Sequence, residues 1–383
     1  MADASPPIGV IDLKMAGWSA GHSYSLGLAS SLHAASASVH FLSKDPPSTG
    51  DLPSIKLPAE RYFPGEWSFR QTLRLGRKNV LAEAVRQNNI SVLGPVLLAE
   101  QLVSGTRNIG WIPDLQPLVL RDLYTAAEVK NSAARFQTLL ERCDSVIVSS
   151  EDSRRVALGL FPGFEGKLAV LPFPSLFAFQ PPPATVGDIR QKYGLPDRFF
   201  LVANQFWKHK NHLQVVKALA CLRARGEPIC CVMTGLPADF RDRDNTVLSD
   251  LFQQIACGRV GDQCRILGLV PRADLLALLR CATALVQPSR FEGWNTTVQD
   301  ALALGCPLLL SDLPVHREQA PQAAGFFALD DPESLATLMA AHIDSLPLRP
   351  QADVEENALA AQREFARAHG LHARRIFEGS DHE

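Results

Sequence analysis

Two acidic residues, Glu292 and Asp300, lie eight positions apart in QPSRFEGWNTTVQDALALGCPLLLSD, the stretch from Gln287 to Asp312. Between them stand Gly293, Trp294, Asn295, Thr296 and Thr297, followed by an apolar helical stripe at Val298, Ala301 and Leu302. Thr296 or Thr297 is predicted as the helix N-cap and Gly305 as its C-terminal stop; Pro307 bars continuation. A helix N-terminus offers unpaired N–H groups and a partial positive charge, so it suits a phosphate. Carboxylates beside such a site are suited to accept hydrogen bonds from hydroxyl groups. The matching ligand carries phosphates in the middle and hydroxyls at both ends, and a nucleotide sugar is such a ligand. A plainer reading uses the same spacing: Thr297 and Asp300 fit a capping box, and Glu292 fits a solvated loop.

The elements that must position these acids can be read around them. Leu285 and Val286 end an apolar run closed by Pro288 and Ser289, and Leu308 to Leu310 form the next buried strand. Strand, acidic loop, helix and strand make half of a parallel α/β sheet, with the loop at the carboxyl end where such sheets bind ligands. A second cluster follows the strand Phe199 to Ala203. In NQFWKHKNH, after Asn204 and Gln205, the residues Lys208, His209, Lys210 and His212 crowd the start of a helix expected over His212 to Ala224. Basic groups at a helix N-terminus oppose its dipole, and a bound phosphate would resolve the conflict.

The first half holds weaker signals. The strand Ile8 to Leu13 leads to a loop punctuated by Gly17 and Gly21, then a helix bearing Tyr24, Leu26, Leu28 and Leu32. Such a loop can set backbone N–H groups beside a phosphate, although both residues are equally explained as turn glycines. GxGxxG is absent, so a nicotinamide-type site is not supported. Asp114 follows the short strand Ile109 to Ile112, where a carboxylate can face a cleft.

With these residues in place, FEGWNTTVQDALALGCPLL resembles the signature of glycosyltransferase family 4, in which Glu, seven residues and Glu sit in a phrase such as YEGFGLPVLEAMACGTPVV. Glu292 takes the first acidic position and Asp300 the second, one methylene shorter than the family's Glu. The resemblance implies an α/β fold of GT-B architecture: two Rossmann-like domains whose parallel sheets face a cleft. It further implies retaining, metal-independent transfer of a hexose from a UDP- or GDP-sugar, with no other cofactor. In that reading Glu292 contacts the transferred sugar, Asp300 holds the ribose, and Lys210 meets the donor phosphates with Asn204 at the family's glycine position. Gln205, the backbone at Val270, and Gly293 to Thr297 complete the donor site, and Gly17 and Gly21 face the pyrophosphate. The Arg that many members carry near the lysine has no clear counterpart. Of the family's HD pair only Asp114 carries over, within WIPDLQP, which is similar to the WIPDFQH phrase of a bacterial polysaccharide subgroup. SDLPVHREQ after Leu310 belongs to the same set.

The 383 residues, 46% hydrophobic and 20% charged, describe a folded chain long enough for two domains. A net charge of −2 gives no reason to expect nucleic-acid binding. The domains are expected at 1–175 and 186–355, with the proline-rich linker near Pro174 to Val186. A terminal helix follows, which the resemblance returns to the first domain. The eight scattered cysteines read as buried free thiols of a reducing compartment, and no secretory signal or membrane span is legible. A cytoplasmic enzyme is therefore expected, using a glycan or lipid-linked glycan as acceptor. Between Arg61 and Arg86 six basic residues stand against Glu66 and Glu83, interleaved with Phe63, Trp67 and Phe69. That composition fits peripheral contact with an anionic membrane and equally a solvated helix face. Asp242-Arg243-Asp244 is formally a metal-binding DxD but sits in a charged run, so no metal is expected. Two alternatives stay open. One is a nucleotide-sugar 2-epimerase, drawing its acid–base group from His22, His209 or His316. The other is a catalytically silent nucleotide-sugar-binding subunit.

Overall fold

The computed structural model describes residues 6–14, 19–45, 52–57, 80–180, 182, 189–239, 242 and 246–379. The chain divides into two compact units. One comprises Met1–Leu118, Ala126–Phe179 and Arg363–Glu383; the other comprises Val119–Thr125 and Gln180–Gln362.

In the first unit seven parallel strands are described: β1 (Ile8–Ile11), β2 (Val39–Ser43), β3 (Ser54–Lys56), β4 (Val92–Val96), β5 (Arg107–Ile112), β6 (Ser145–Val148) and β7 (Leu168–Val170), in the order β3-β2-β1-β4-β5-β6-β7. Strands covered on both faces carry no polar alternation, which is why IGVI and VLGPV are buried at every position. The order reverses between β1 and β4, which pair in register from Ile8 against Val92. Tyr24 lies flat on Trp111 with ring centroids 3.7 Å apart, and Phe173 meets Tyr24 edge-on. Helix Ala352–Glu378 is continuous, and its residues from Arg363 onward group with this unit. There a Cβ on Gly370 would stand 2.2 Å from the Ser31 carbonyl oxygen, so only glycine lets the two backbones approach.

The second unit repeats the plan with β8 (Phe200–Ala203), β9 (Cys231–Thr234), β10 (Cys264–Gly268), β11 (Ala284–Gln287), β12 (Leu308–Ser311) and β13 (Gly325–Phe327). Their order, β10-β9-β8-β11-β12-β13, reverses between β8 and β11. Phe200, Val202, Met233, Val286 and Leu309 form one core with Val215 and Leu219 of helix His212–Ala224 and Leu335 and Met339 of helix Pro332–Ile343. Asp331 caps the last of these, accepting from the N–H groups of Glu333 and Ser334 with Pro332 at its first position. Arg349 donates to the carbonyls of Leu304 and Gly305, and Arg280 forks onto Glu355 at the start of the terminal helix.

Expected strands and helices fall where the apolar runs placed them, with ends shifted by at most three residues. Three details change. Gly21 is not a loop glycine: it lies in the first turn of helix Ser19–Ala34, and its carbonyl accepts the Ser25 hydroxyl. Asn295, not Thr296 or Thr297, caps helix Thr296–Ala303, since its Oδ1 accepts from Val298 N at 3.0 Å. Cys257, at the end of its helix, is exposed, whereas Cys143, Cys231, Cys264, Cys281 and Cys306 are buried; all eight cysteines are free. Gly17 and the aromatic-basic residues Arg61 to Lys78 lie outside the described residues. Among the described residues no helix is long and apolar enough to cross a membrane.

Candidate functional site

The site in the second unit is built at the carboxyl ends of β8 and β11, the pair where strand order reverses and where ligand crevices form in open α/β sheets. One residue past β8, Asn204 meets Gln287, the last residue of β11. The Asn204 amide donates to Gln287 Oε1 at 2.8 Å, and Gln287 Nε2 donates back to Asn204 Oδ1 at 3.2 Å. The Gln287 amide also donates to Ser289 Oγ and, at 2.9 Å, to Glu292 Oε1. Both amides are buried, so these bonds satisfy groups that water does not reach. Close packing continues below them: a Cβ on Gly235 would fall 2.0 Å from the Asn204 carbonyl oxygen, so glycine is required there.

Glu292 lies at the centre. Its Oε1 accepts from Lys210 Nζ at 2.6 Å, from Gln287 Nε2 at 2.9 Å and from Asn295 Nδ2 at 2.9 Å. Oε2 accepts no hydrogen bond among the described residues, and Lys210 spends one of its three ammonium donors there. The two side chains are 8% and 13% exposed, so the pair is held away from bulk water. Burial drives the Glu292 carboxyl upward. The Lys210 charge, with lesser help from His209 and His316 and the Lys210 hydrogen bond, more than reverses this and brings it to about 2. Glu292 is therefore a carboxylate at any physiological pH, not a solvated loop residue.

The lysine arrives by a route that the sequence pattern only partly foresees. Lys208 to Lys210 form a separate 3₁₀ turn after Trp207, and Asn211 follows with φ +55° before helix His212–Ala224 starts. The basic residues thus precede the helix, with only His212 inside it. Burial, aided by Lys210 and opposed by the Asn204 backbone, lowers the His212 imidazole to about 3, so it is neutral beneath Phe206. The Lys210 charge just before the helix is balanced by Glu292.

Gln319 fixes the acidic loop: its amide donates to the Asn295 carbonyl at 2.8 Å and its Oε1 accepts the Asn295 N–H at 3.2 Å. Thr297 Oγ1 donates to the Ala203 carbonyl at 3.3 Å, tying the helix start to the end of β8, and Thr296 beside it is half-buried. Asp300, buried in that helix, pairs with Arg272 and takes no part in a capping box. Arg272 opens helix Arg272–Cys281 directly after Val270 and Pro271, so that turn delivers a cation to the second acid. Sequence reasoning passed over Arg272; its place in the first turn after the Val270-Pro271 corner was the available signal. Gly293 is buried, Trp294 and Gln205 are half-buried, and the Gln205 carbonyl accepts from Trp207 N. His316 is fully buried at the start of the next helix. It is held by the Ser311 carbonyl at 2.8 Å, and burial lowers its pKa although Glu292 draws it upward.

Asp114 and Asp242 are engaged in local hydrogen bonds. Asp114 Oδ1 accepts Gln116 N at 3.0 Å and so starts the short helix Gln116–Val119. Asp242 accepts Val247 N and the Thr246 hydroxyl, spending itself on the start of helix Thr246–Cys257; Arg243 and Asp244 lie outside the described residues. Among the described residues no group of three or more His, Cys, Asp and Glu is placed to hold a metal.

Residues 186–358 match the family model for glycosyl transferases group 1. No curated protein matches the chain. Among solved structures the chain is similar to Anabaena HepE in complex with UDP and glucose, with 12% identity, 98% of this chain and 99% of that one covered, and a TM-score of 0.66. It is similar to a glycosyltransferase from Rickettsia africae, with 15% identity, 97% and 96% covered, and a TM-score of 0.63. It is also similar to sucrose-phosphate synthase from Thermosynechococcus elongatus, with 19% identity, 98% and 94% covered, and a TM-score of 0.60. These likenesses carry the fold, that of the GT-B glycosyltransferases.

Proposed function

We propose that the second unit binds a nucleotide-diphosphate sugar. The protein then transfers the hexose, with retention and without a metal, to a glycan or lipid-linked glycan in polysaccharide biosynthesis. The observation that carries this reading is the Lys210–Glu292 pair at the reversal between β8 and β11. One carboxylate oxygen stays open to a sugar hydroxyl while the ammonium keeps donors for the leaving diphosphate. The N–H groups at Thr296 and Thr297 add a helix N-terminus to the same anion, and Asp300 with Arg272 receives the ribose. Stabilising charge that develops on the diphosphate is the largest contribution such a site makes. The match of residues 186–358 to the group 1 family model supports the activity, and the UDP seen with HepE supports the ligand class.

A thermal-shift panel of UDP-, GDP-, ADP- and dTDP-sugars tests the donor assignment. One sugar nucleotide should raise the melting temperature by mass action, and no response to any would refute it. Proton NMR of the product should then show the anomeric configuration of the donor retained. Incubation without acceptor tells this reading from 2-epimerisation, which would convert the donor to its epimer. A silent subunit would bind the donor and transfer nothing.

A further inference from the structure

We propose that Gln299, Gln319 and Gln362 are positioning residues for Glu292, forming a relay of buried amides that reaches it through Asn295. This role rests on the donor reading above. Asn295 Nδ2 donates to Glu292 Oε1 at 2.9 Å, while Asn295 Oδ1 accepts from Val298 N. Gln319 holds the Asn295 backbone at both polar groups, the N–H at 3.2 Å and the carbonyl at 2.8 Å. Gln319 Nε2 also donates to Gln299 Oε1 at 3.1 Å, and Gln299 Nε2 donates to Gln362 Oε1 at 3.0 Å. From the Asn295 N–H onward each amide donates to the next, an order in which hydrogen bonds polarise and strengthen one another. All of these residues belong to the second unit.

Three helices meet in this chain of amides. Asn295 caps helix Thr296–Ala303 and Gln299 lies inside it, Gln319 ends helix Pro314–Gln319, and Gln362 comes from helix Ala352–Glu378. The terminal helix approaches closely because Gly305 has no side chain. A Cβ there would stand 2.7 Å from Val354 Cγ1 and 3.4 Å from Ala358 Cβ. Val354, Ala358 and Gln362 recur every fourth residue, so one helix face presents all three, and Gln362 reaches Gln299 across 63 positions of chain. All four amide side chains are buried. An apolar stripe would pack these helices without desolvating four amides, whereas a fully satisfied polar network specifies one arrangement. What it specifies here is the loop from Glu292 to Asn295. With Oε1 held by Lys210, Gln287 and Asn295, Oε2 is left for a sugar hydroxyl. Loosening the relay frees Asn295, and with it the aim of the carboxylate.

The test uses the full chain and the sugar nucleotide picked out by the thermal-shift panel. Calorimetry gives two affinities, one for that sugar nucleotide and one for its nucleoside diphosphate alone. Their ratio isolates the grip on the sugar, and a merely structural role would not move it. Gln299→Leu removes the middle link and Gln362→Met the last acceptor. Each should lower the ratio about 10-fold, within the range that one hydrogen bond contributes, with nucleoside diphosphate affinity unchanged. Gln362→Met, at the far end of the relay, carries the test by itself if Gln299→Leu does not fold. Gln362→Glu keeps an acceptor oxygen for Gln299 and should keep the ratio of the unchanged protein. Glu292→Gln should lower the ratio, and adding Gln299→Leu to it should lower it little further, since both act on one contact. An unchanged ratio in Gln299→Leu and Gln362→Met beside a lowered one in Glu292→Gln would overturn the relay and leave the donor reading standing. So would equal loss of both affinities, or a loss in Gln362→Glu as large as in Gln362→Met. Failure of the unchanged protein to bind any sugar nucleotide would overturn the donor reading itself and the relay's role with it.

Discussion

Lys210 Nζ stands 2.6 Å from Glu292 Oε1, joining the turn after β8 to the loop after β11 across 82 positions of chain. Each residue reads separately as a ligand contact, one for phosphate and one for sugar. Together they form a buried ion pair in which each partner fixes the other before any ligand arrives. Truncating one member leaves an uncompensated buried charge, which costs about 3–5 kcal/mol in comparable pairs. Lys210→Ala should therefore lower the unfolding free energy by an amount of that order, measured by urea denaturation at neutral pH.

The same pair sets an acid limit on stability. The Glu292 carboxyl is held at about 2 against an ordinary 4.5, so the group binds protons more weakly in the folded chain than in the unfolded one. Its contribution is fully present above 4.5 and is lost as pH falls from 4.5 through 2. Glu292→Gln should flatten the stability–pH curve in that window. An unchanged slope would show that other carboxylates govern acid unfolding.

Gln287 is the residue through which Asn204 and Glu292 are coupled. Gln287→Leu keeps the volume but leaves the Asn204 amide and one Glu292 hydrogen bond without a buried partner. A cost of about 1–3 kcal/mol is expected for each polar group so stranded. Donor affinity should fall with it, whereas a solvent-facing glutamine would show neither loss in denaturation and titration experiments.

Asp300 and Arg272 should act as one unit toward the nucleotide. Asp300→Ala is expected to raise the donor KM about 10-fold or more, as for loss of a hydrogen bond to a charged group. Arg272→Ala should have a smaller effect, because its side chain is 55% exposed. In the double variant the losses should not add, since the residues are in contact. Additive losses would mean that the pair is incidental to donor binding.

How much of this could be read in the chain depends on distance along it. Helix His212–Ala224 has the bounds expected from its apolar spacing, and Gly305 and Pro332 stop and start helices as local chemistry requires. Most strands of both sheets were legible because buried parallel strands write themselves as unbroken apolar runs, whereas the edge strand β3, exposed at both ends, wrote none. The cap at Asn295 was not, because Asn295, Thr296 and Thr297 are all capping types and local preference does not choose among them. Gln319, brought in from 24 positions away, makes the choice by gripping the Asn295 backbone. Arg272 escaped notice for the same reason: it meets Asp300 across 28 positions of chain, not through local spacing. His22 was one of three histidines the sequence did not rank, and only the fold sets Asp12 beside it.

The central claim is that the Lys210–Glu292 pair holds the donor and stabilises its leaving diphosphate. It is tested most directly by the rate of nucleoside-diphosphate release, in the presence of acceptor, by the unchanged protein and by Lys210→Ala at a temperature where both are folded. The account predicts a loss of at least about 10²-fold, as for removal of one charge-stabilising donor. Turnover by Lys210→Ala near that of the unchanged protein would contradict it.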